Sequence, residues 1–334
     1  MSLELTVKVD SRVRQPQDIV LLLKAAGEIT RLRLLALLAQ GELSVKDFTE
    51  ILGQSQPRIS RHLKLLADAG IVTRHAEGAW AYYRLNRERA SGALTQWLGE
   101  HVDPQAPELR RDREKLTSLR DIQRERAAAY FATIAQSWDR LRSLHASDTA
   151  VEAAIVEAAG PEKGGFLLDL GTGTGRMLEL LADLYGQGIG LDSSREMLAV
   201  ARANLDAANI DHAQVRLGDI TELNDYRGAA DLVVLHQVLH YFDDPGTVLA
   251  HAGTCLGPDG RMLIVDFAPH DLEFLRTEQA HRRLGLSDEQ MELWARASGL
   301  DVKACRSFPP TRADGLTVCL WVLEPTKHHN KKGV

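Results

Sequence analysis

The ten residues from Leu167 to Arg176, LLDLGTGTGR, constrain the fold of this chain more than any other stretch. The apolar segment Phe166–Leu170 predicts a buried parallel strand, and the glycines that follow predict a tight turn before a helix. Glycine is required where the backbone adopts a positive φ, or where a ligand approaches closer than a Cβ atom allows. The pattern therefore predicts a ligand-binding turn at the carboxyl end of a parallel strand.

Two residues of this stretch narrow the class of ligand. Gly171, Gly173 and Gly175 stand at every second position, but a dinucleotide fingerprint has glycine or alanine where this chain has Arg176. NAD is therefore disfavoured. The carboxylate of Asp169, just before the turn, suits a ligand that carries an ammonium group better than it suits a pyrophosphate.

Three later segments continue the pattern of a doubly wound sheet. The strand Gly188–Asp192 ends in a carboxylate 17 residues after Gly175, where such a sheet binds ribose hydroxyls. The strand Val215–Ile220 carries Asp219, which is placed to accept a hydrogen bond from an adenine amino group. A fourth strand, Asp231–Leu235, leads to candidate acid–base residues, because histidine transfers protons near neutral pH. These candidate catalytic residues are His236, His240 and Tyr241.

In this order, the glycine turn and the acidic strand ends resemble class I S-adenosylmethionine-dependent methyltransferases over about Thr149 to Glu324. The resemblance implies an α/β fold with a Rossmann-like, seven-stranded methyltransferase sheet, and S-adenosyl-L-methionine or S-adenosyl-L-homocysteine as cofactor. The implied cofactor-binding residues are Asp169, Gly171, Gly173, Gly175, Asp192, Ser193, Met197, Gly218, Asp219, Ile220 and His236. A purely structural role for the two histidines after the fourth strand stays open.

Helical patterns occupy the first part of the chain. Apolar spacing predicts a helix from Asp18, a second from Thr30 as N-cap to Gly41, and a third from Ser44 as N-cap to Gly53. Each of the last two ends at a glycine, the residue most suited to a helix C-terminus. The segment therefore predicts a small helical domain.

A fourth helix follows, with Ser55 as N-cap and Pro57 in its first turn. Two short helices separated by a glycine turn, the second polar and basic on its outer face, form the helix-turn-helix pattern. The second helix of that motif lies in the DNA major groove, and the alternating residues 71–74 and 82–85 predict a hairpin wing beside it. The candidate DNA-binding residues are Gln56, Arg58, Ser60, Arg61, Lys64, Arg74 and Arg84.

This part resembles the ArsR-type winged-helix repressors over about Gln17 to Arg87. The motifs that carry the resemblance are TRLRLLALL (Thr30–Leu38), QPRISRHLKLLADAGIV (Gln56–Val72) and WAYYRL (Trp80–Leu85). The resemblance implies a double-stranded DNA operator, and we expect a homodimer because two-fold symmetry doubles the contacts of a small domain. Metal-sensing members carry two cysteines where this chain has Ser44 and Lys46, so no metal is expected there.

The predicted domains are residues 1–100 for the winged helix, 101–148 for a helical connector and 149–334 for the methyltransferase domain. The connector fits either a solvated helix with intrahelical charge pairs or a dimer-forming helix. Its narrow apolar stripe consists of Leu109, Leu116, Leu119 and Ile122. Its aromatic end, Tyr130–Trp138, resembles the segment that caps the cofactor site in ubiquinone-biosynthesis-type methyltransferases.

Composition separates the two halves and excludes a membrane-spanning protein. Residues 1–100 carry a formal charge of +3 and the remainder carries −9, which favours different partners for each half. Neither half has an apolar run of the ~20 residues that cross a bilayer. Cys255, Cys305 and Cys319 are far apart in sequence, so we expect free thiols in the cytoplasm and not a disulfide frame.

Three functional interpretations remain. In the first, a DNA-binding repressor senses S-adenosylmethionine or S-adenosylhomocysteine, which resembles the ArsR–methyltransferase fusions that control methionine and methyl-cycle genes. In the second, the chain is an active methyltransferase on a small molecule. In the third, the winged helix only dimerises an enzyme. The basic outer residues of the predicted recognition helix argue against the third.

Overall fold

The computed structural model describes residues 15–77, 80–86, 89–122, 148–161, 165–279, 281–310 and 315–326. The chain divides into two units, residues 1–122 and 123–334. The division falls inside the segment that the sequence suggests as a connector. The predicted aromatic end of that connector, Tyr130–Trp138, lies outside the described residues.

The first unit is helical with a small antiparallel sheet of order β1-β3-β2. Its elements are α1 (Pro16–Ala26), α2 (Ile29–Leu38), β1 (Leu43–Ser44), α3 (Val45–Leu52), α4 (Gln56–Asp68), β2 (Val72–Glu77), β3 (Trp80–Leu85), α5 (Arg89–His101) and α6 (residues 107–122). Strands β2 and β3 form the hairpin wing that the alternating residues predict.

Local capping fixes where the helices of the first unit begin. The Ser44 hydroxyl accepts a bond from the Asp47 amide, and the Asp47 carboxylate accepts one from the Ser44 amide, so α3 begins in a capping box, at the N-cap that the sequence predicts. The prediction of Thr30 as an N-cap is wrong. Glu28 caps α2, because its longer carboxylate reaches the Arg31 amide at 3.0 Å, while Thr30 is buried inside the first turn.

Helix α6 is part of the core of the first unit. Leu116 and Leu119 are buried in the same apolar cluster as the helices of the winged helix. The buried carboxylate of Asp112 accepts two bonds of 2.7 Å from the Arg33 guanidinium of α2. Half of the predicted connector stripe is therefore covered within this unit, whereas Ile122 at its end is exposed.

The second unit is a doubly wound sheet with helices on its faces. Its elements are α7 (Asp148–Ala159), β4 (Gly165–Leu170), α8 (Arg176–Leu180), β5 (Tyr185–Asp192), α9 (Arg195–Ala207), β6 (Ala213–Leu217), β7 (Ala230–His236), α10 (Pro245–Gly253), β8 (Leu256–Phe267), α11 (Phe274–Glu278), α12 (Asp288–Ala297), β9 (Leu300–Phe308) and β10 (Val318–Pro325). Among the described residues, no helix is long and apolar enough to cross a membrane.

The seven strands of this sheet lie in the order β6-β5-β4-β7-β8-β10-β9. Strands β4 to β8 are parallel, and β10 is antiparallel to both of its neighbours, β8 and β9. Alternate residues of the central strands enter two separate cores; Leu168 and Val233 enter one, and Leu167 and Val234 enter the other. This arrangement is the Rossmann-like, seven-stranded fold that the sequence predicts, and it aligns the carboxyl ends of five parallel strands at one edge.

Candidate functional site

A cavity of about 600 Å³ lies at the carboxyl ends of β4 to β8, where doubly wound sheets bind ligands. Ten of the eleven predicted cofactor residues line it, as do all three candidate catalytic residues. Gly175 does not line it. With its φ of 81°, this glycine precedes α8, and a Cβ atom there would lie 3.2 Å from that of Ala201.

The glycine turn is attached to the neighbouring strand and leaves room beside its backbone. The amides of Gly171 and Thr172 both donate to the carbonyl of Leu191, at 2.8 and 2.9 Å. Gly171 has a φ of 75°, and a Cβ atom on it would collide with the Val238 side chain. Gly173 also has a positive φ, of 53°, but a Cβ atom there would meet open space, so a ligand can approach its backbone.

Asp192, at the end of β5, holds this turn in place. Its two carboxylate oxygens accept bonds of 2.8 Å from the amides of Gly173 and Ser194. Because each carboxylate oxygen has more than one acceptor site, capacity remains for ligand hydroxyls. Strand β6 ends at Leu217, so Asp219 lies in the loop after it and not inside the strand, where the sequence predicted it. The Asp219 carboxylate accepts hydrogen bonds from the amide and the hydroxyl of Thr221, and these bonds lower its pKa.

Asp169 is a buried carboxylate on the cavity wall. Its Oδ2 accepts a bond of 2.5 Å from the Thr172 hydroxyl, while its buried Oδ1 has no hydrogen-bond partner among the described residues. Burial raises the pKa of Asp169 to about 7, and the charge of Asp192 adds to this rise. An ammonium group on a ligand would provide both the missing donor and a compensating charge.

His240, which also lines the cavity, pairs with Asp266. The two side chains are 2% and 0% exposed, and the distance between His240 Nδ1 and Asp266 Oδ1 is 2.7 Å. Although burial acts to raise the pKa of Asp266, its electrostatic interaction and hydrogen bond with His240, and the amides of Phe267 and His240, hold that pKa below its ordinary value. The carboxylate of Asp266 is therefore ionised.

Aromatic rings surround this pair. The imidazole of His281 stacks on that of His240 with 4.0 Å between ring centroids, and the Tyr241 ring lies at 4.2 Å. Sequence reasoning missed Asp266 and His281. A lone acidic residue in the apolar run Met262–Phe267 was a usable signal for Asp266, while no local pattern marks His281, which lies beyond α11.

The predicted DNA-binding residues occupy the outer face of α4 and the wing. Ile59, Leu63 and Leu66 are completely buried, which turns the polar side of α4 outwards. Gln56, Arg58, Arg61, Lys64 and Arg74 are exposed, and Ser60 and Arg84 are half-buried.

A groove between α3, α4 and the wing brings together Gln56, Ser60, Lys64 and Arg74, but not the other three candidates. Lys64 pairs with Asp68 at 3.1 Å, and this exposed pair is weak enough for a phosphate to replace the carboxylate. Within the described ranges, no cluster of metal-ligating side chains is close enough to hold a metal ion.

The fold and the sites define a two-part protein, in which a winged-helix module of the DNA-binding type precedes a methyltransferase-type sheet. A model for bacterial regulatory proteins of the arsR family matches residues 29–74, and a methyltransferase domain model matches residues 161–304. The chain belongs to the arsR family of regulatory proteins through its first unit, and this regulator is fused to a methyltransferase domain.

Relatives match the two parts separately. The arsenical resistance operon repressor of Bacillus subtilis is 41% identical over 76 residues, which are 22% of this chain and 72% of the repressor. The ubiquinone biosynthesis O-methyltransferase of Azorhizobium caulinodans is 29% identical over 164 residues, which are 45% of this chain and 64% of that enzyme. The structure of geranyl diphosphate C-methyltransferase from Streptomyces coelicolor, in complex with Mg²⁺, geranyl diphosphate and S-adenosyl-L-homocysteine, aligns with a TM-score of 0.47 and 12% identity, over 53% of this chain and 77% of that one.

Proposed function

We propose that this protein is a DNA-binding transcriptional regulator whose methyltransferase domain binds S-adenosylmethionine and S-adenosylhomocysteine, and whose operator affinity depends on which of them is bound. The observation that carries the proposal is one cavity that joins an open glycine turn to the carboxylates of Asp169, Asp192 and Asp219. These three carboxylates match the three polar groups of an adenosyl compound, which are the amino group of its amino acid, its ribose hydroxyls and its adenine amino group.

Each carboxylate suits a different group of the ligand. The unpartnered Oδ1 of Asp169 suits the amino group of the methionine moiety. Asp192 has remaining acceptor sites for the ribose hydroxyls, and Asp219 is exposed at the edge of the cavity for an adenine amino group. Arg176 argues against a dinucleotide, because a pyrophosphate site would need a glycine at position 176. The Arg176 guanidinium is instead held by two hydrogen bonds of 2.7 and 2.8 Å to the Glu152 carboxylate.

The DNA-binding part of the proposal places α4 in the major groove of a roughly palindromic operator. Arg58 and Arg61 suit guanine edges or phosphates, and Gln56 suits an adenine edge. A homodimer would present two such helices to half-sites about one helical turn apart. Exposed apolar residues on α1 favour self-association. They are Ile19, Val20, Leu21 and Leu23, each 39–55% exposed.

Sensing is the part of the proposal that links the two units. The winged helix has Ser44 and Lys46 where metal-sensing relatives have cysteines, so a signal from the second domain takes the place of a metal. We expect the regulated genes to belong to methionine and methyl-cycle metabolism. Coupling between two such sites is typically worth about 1–3 kcal/mol, a change of roughly 5–150-fold in operator affinity.

Two measurements on the full chain test this proposal. Calorimetry is expected to show binding of both S-adenosylmethionine and S-adenosylhomocysteine. Fluorescence anisotropy on the DNA upstream of the protein's own gene is expected to give operator affinities that differ between the two saturated forms and the free protein. The Asp192→Ala variant serves as the control, since it should need a higher concentration of either compound than the wild type does to reach the same change in operator affinity. Identical operator affinity in all three conditions would refute sensing and favour an active enzyme.

A further inference from the structure

The pairing of His240 with Asp266 fixes which imidazole nitrogen carries a proton. An ionised carboxylate only accepts hydrogen bonds, so His240 Nδ1 must carry the hydrogen that it donates to Asp266 Oδ1 at 2.7 Å. In the neutral ring, Nε2 then has a lone pair. This nitrogen is buried and has no hydrogen-bond partner among the described residues. A buried acceptor without a donor is costly, so the site favours a ligand that donates a proton there.

The surroundings of His240 select the shape of such a ligand. His240 lines the cavity together with Tyr241, Phe242 and Phe267, so the acceptor side is largely aromatic. The titratable groups that face the imidazole are Asp266 from β8, Tyr241 from its own turn, His281 beyond α11, and His270 from the loop after β8. A flat aromatic ring fits a cavity with these walls, because aromatic groups pack in offset or edge-to-face contact.

We infer that the second unit also catalyses methyl transfer to an aromatic hydroxyl group, with His240 as the general base and Asp266 as its positioning residue. The inference rests on the proposed cofactor site, because His240 lines the same cavity as Asp169 and Asp192. A phenolic hydroxyl has an ordinary pKa of about 10, so a histidine can accept its proton as the methyl group is transferred. An aliphatic hydroxyl is far less acidic, and a neutral amine attacks without losing a proton first.

The methyl transfer needs no group from the protein other than His240 and Asp266. The bound sulfonium supplies the methyl group: the acceptor oxygen forms a bond to the methyl carbon, and the sulfur–carbon bond breaks with its electron pair remaining on sulfur. The hydroxyl proton passes to His240 Nε2. Asp266 stabilises the resulting imidazolium through Nδ1, and the proton then leaves to solvent. His240 thereby returns to the tautomer described above.

A binding experiment tests the base without any turnover. The full chain, saturated with S-adenosylhomocysteine, is titrated with 4-nitrophenol, whose absorbance distinguishes phenol from phenolate. We expect the bound probe to absorb as phenolate at pH values where the free probe is protonated. His240→Gln should abolish this change while S-adenosylhomocysteine affinity stays the same. His212→Gln is the matched control, because His212 does not line the cavity and its contacts are with Ala182, Asp211 and Tyr185.

A turnover experiment tests the reaction with catechol and S-adenosylmethionine. His240→Gln should lower kcat by roughly 10²-fold or more, the usual contribution of a general base. Asp266→Asn should lower kcat and move the acidic limb of the pH–rate profile, and Asp266→Glu should restore both in part. If Asp266→Asn does not fold, the His240→Gln and Asp266→Glu variants still decide the question.

Two outcomes overturn the inference and leave the proposed function intact. One is a chain that binds S-adenosylhomocysteine but neither ionises 4-nitrophenol nor methylates catechol. The other is a His240→Gln variant with full activity. If calorimetry shows no binding of either adenosyl compound, the proposed function and this inference both fail.

Discussion

Replacing Asp169 by asparagine should stabilise the second unit at neutral pH when no cofactor is bound. The carboxylate is 1% exposed, and burial raises its pKa from 3.8 to about 7. Between these two values, the folded protein binds more protons than the unfolded chain does. Stability therefore falls as the pH rises through this window, and the loss is complete above pH 7. Asparagine carries no charge, and its carbonyl oxygen still accepts the bond from Thr172.

The size of the effect follows from the two pKa values. One pKa unit corresponds to 1.36 kcal/mol, so the charged carboxylate costs the folded state about 4 kcal/mol at pH 8. Roughly 2–3 kcal/mol of this cost arises between pH 5 and pH 8. The stabilisation in Asp169→Asn should therefore be larger at pH 8 than at pH 5 by this amount.

Urea unfolding at the two pH values measures this difference. Hydrogen exchange of peptides from β4 and β5 restricts the readout to the second unit. Asp183→Asn is the matched control, because that carboxylate is exposed in the turn before β5 and its replacement should have only a small effect on stability. A stabilisation by Asp169→Asn that is equal at pH 5 and pH 8, or absent at pH 8, would refute the reasoning.

The same carboxylate should make cofactor binding depend on pH. A ligand ammonium favours the ionised form of Asp169, so binding releases a proton and affinity rises as the pH increases to about 7. Calorimetry at pH 6.5 in buffers of different ionisation enthalpy measures the released proton. Asp169→Asn should bind S-adenosylmethionine about 1.5–3 kcal/mol more weakly and release no proton. Proton release that persists in this variant would assign the titration to another group.

Three further predictions concern the two sites. Asp192→Ala should weaken calorimetric binding of both adenosyl compounds by about 1.5–3 kcal/mol; unchanged affinity would remove the ribose assignment. Gly171→Ala and Gly173→Ala should each cost roughly 1–2 kcal/mol in urea unfolding because both positions have a positive φ, and Gly171→Ala should cost about 1–3 kcal/mol more through its collision with Val238. Equal losses would contradict that packing. Arg61→Ala should weaken operator binding by about 1–3 kcal/mol and relax its sequence preference in anisotropy titrations; unchanged affinity would exclude α4 as the recognition helix.

Local signals made much of the fold predictable. The beginning of α3 follows from Ser44 and Asp47, three residues apart, and its end from Gly53 with a φ of 64°. The turn after β4 follows from an apolar run and alternating glycines. Thr30 shows the limit of such signals, since a threonine is the better N-cap on average, yet the carboxylate of Glu28 makes the bond.

Features that depend on distant pairing were not predictable. Strand β9 carries the mostly polar sequence LDVKACRSF on the edge of the sheet, so it lacks the apolar pattern that predicted β4 to β7. Asp266 and His240 are 26 residues apart in sequence. They meet because β7 and β8 pair in parallel, with His236 opposite Val265. The register between these two strands cannot be predicted from the sequence of either strand alone.

The place of β10 in the sheet sets an order of events during synthesis on the ribosome. Because β10 separates β8 from β9, neither strand can complete its pairing until Val318–Pro325 has emerged. Until then β8 presents an open row of amides and carbonyls that can pair with another chain. The first unit contains all of its own strands and emerges earlier, so it can fold while the sheet of the second is still incomplete. The nascent protein is thus most prone to aggregation between the synthesis of β8 and that of β10.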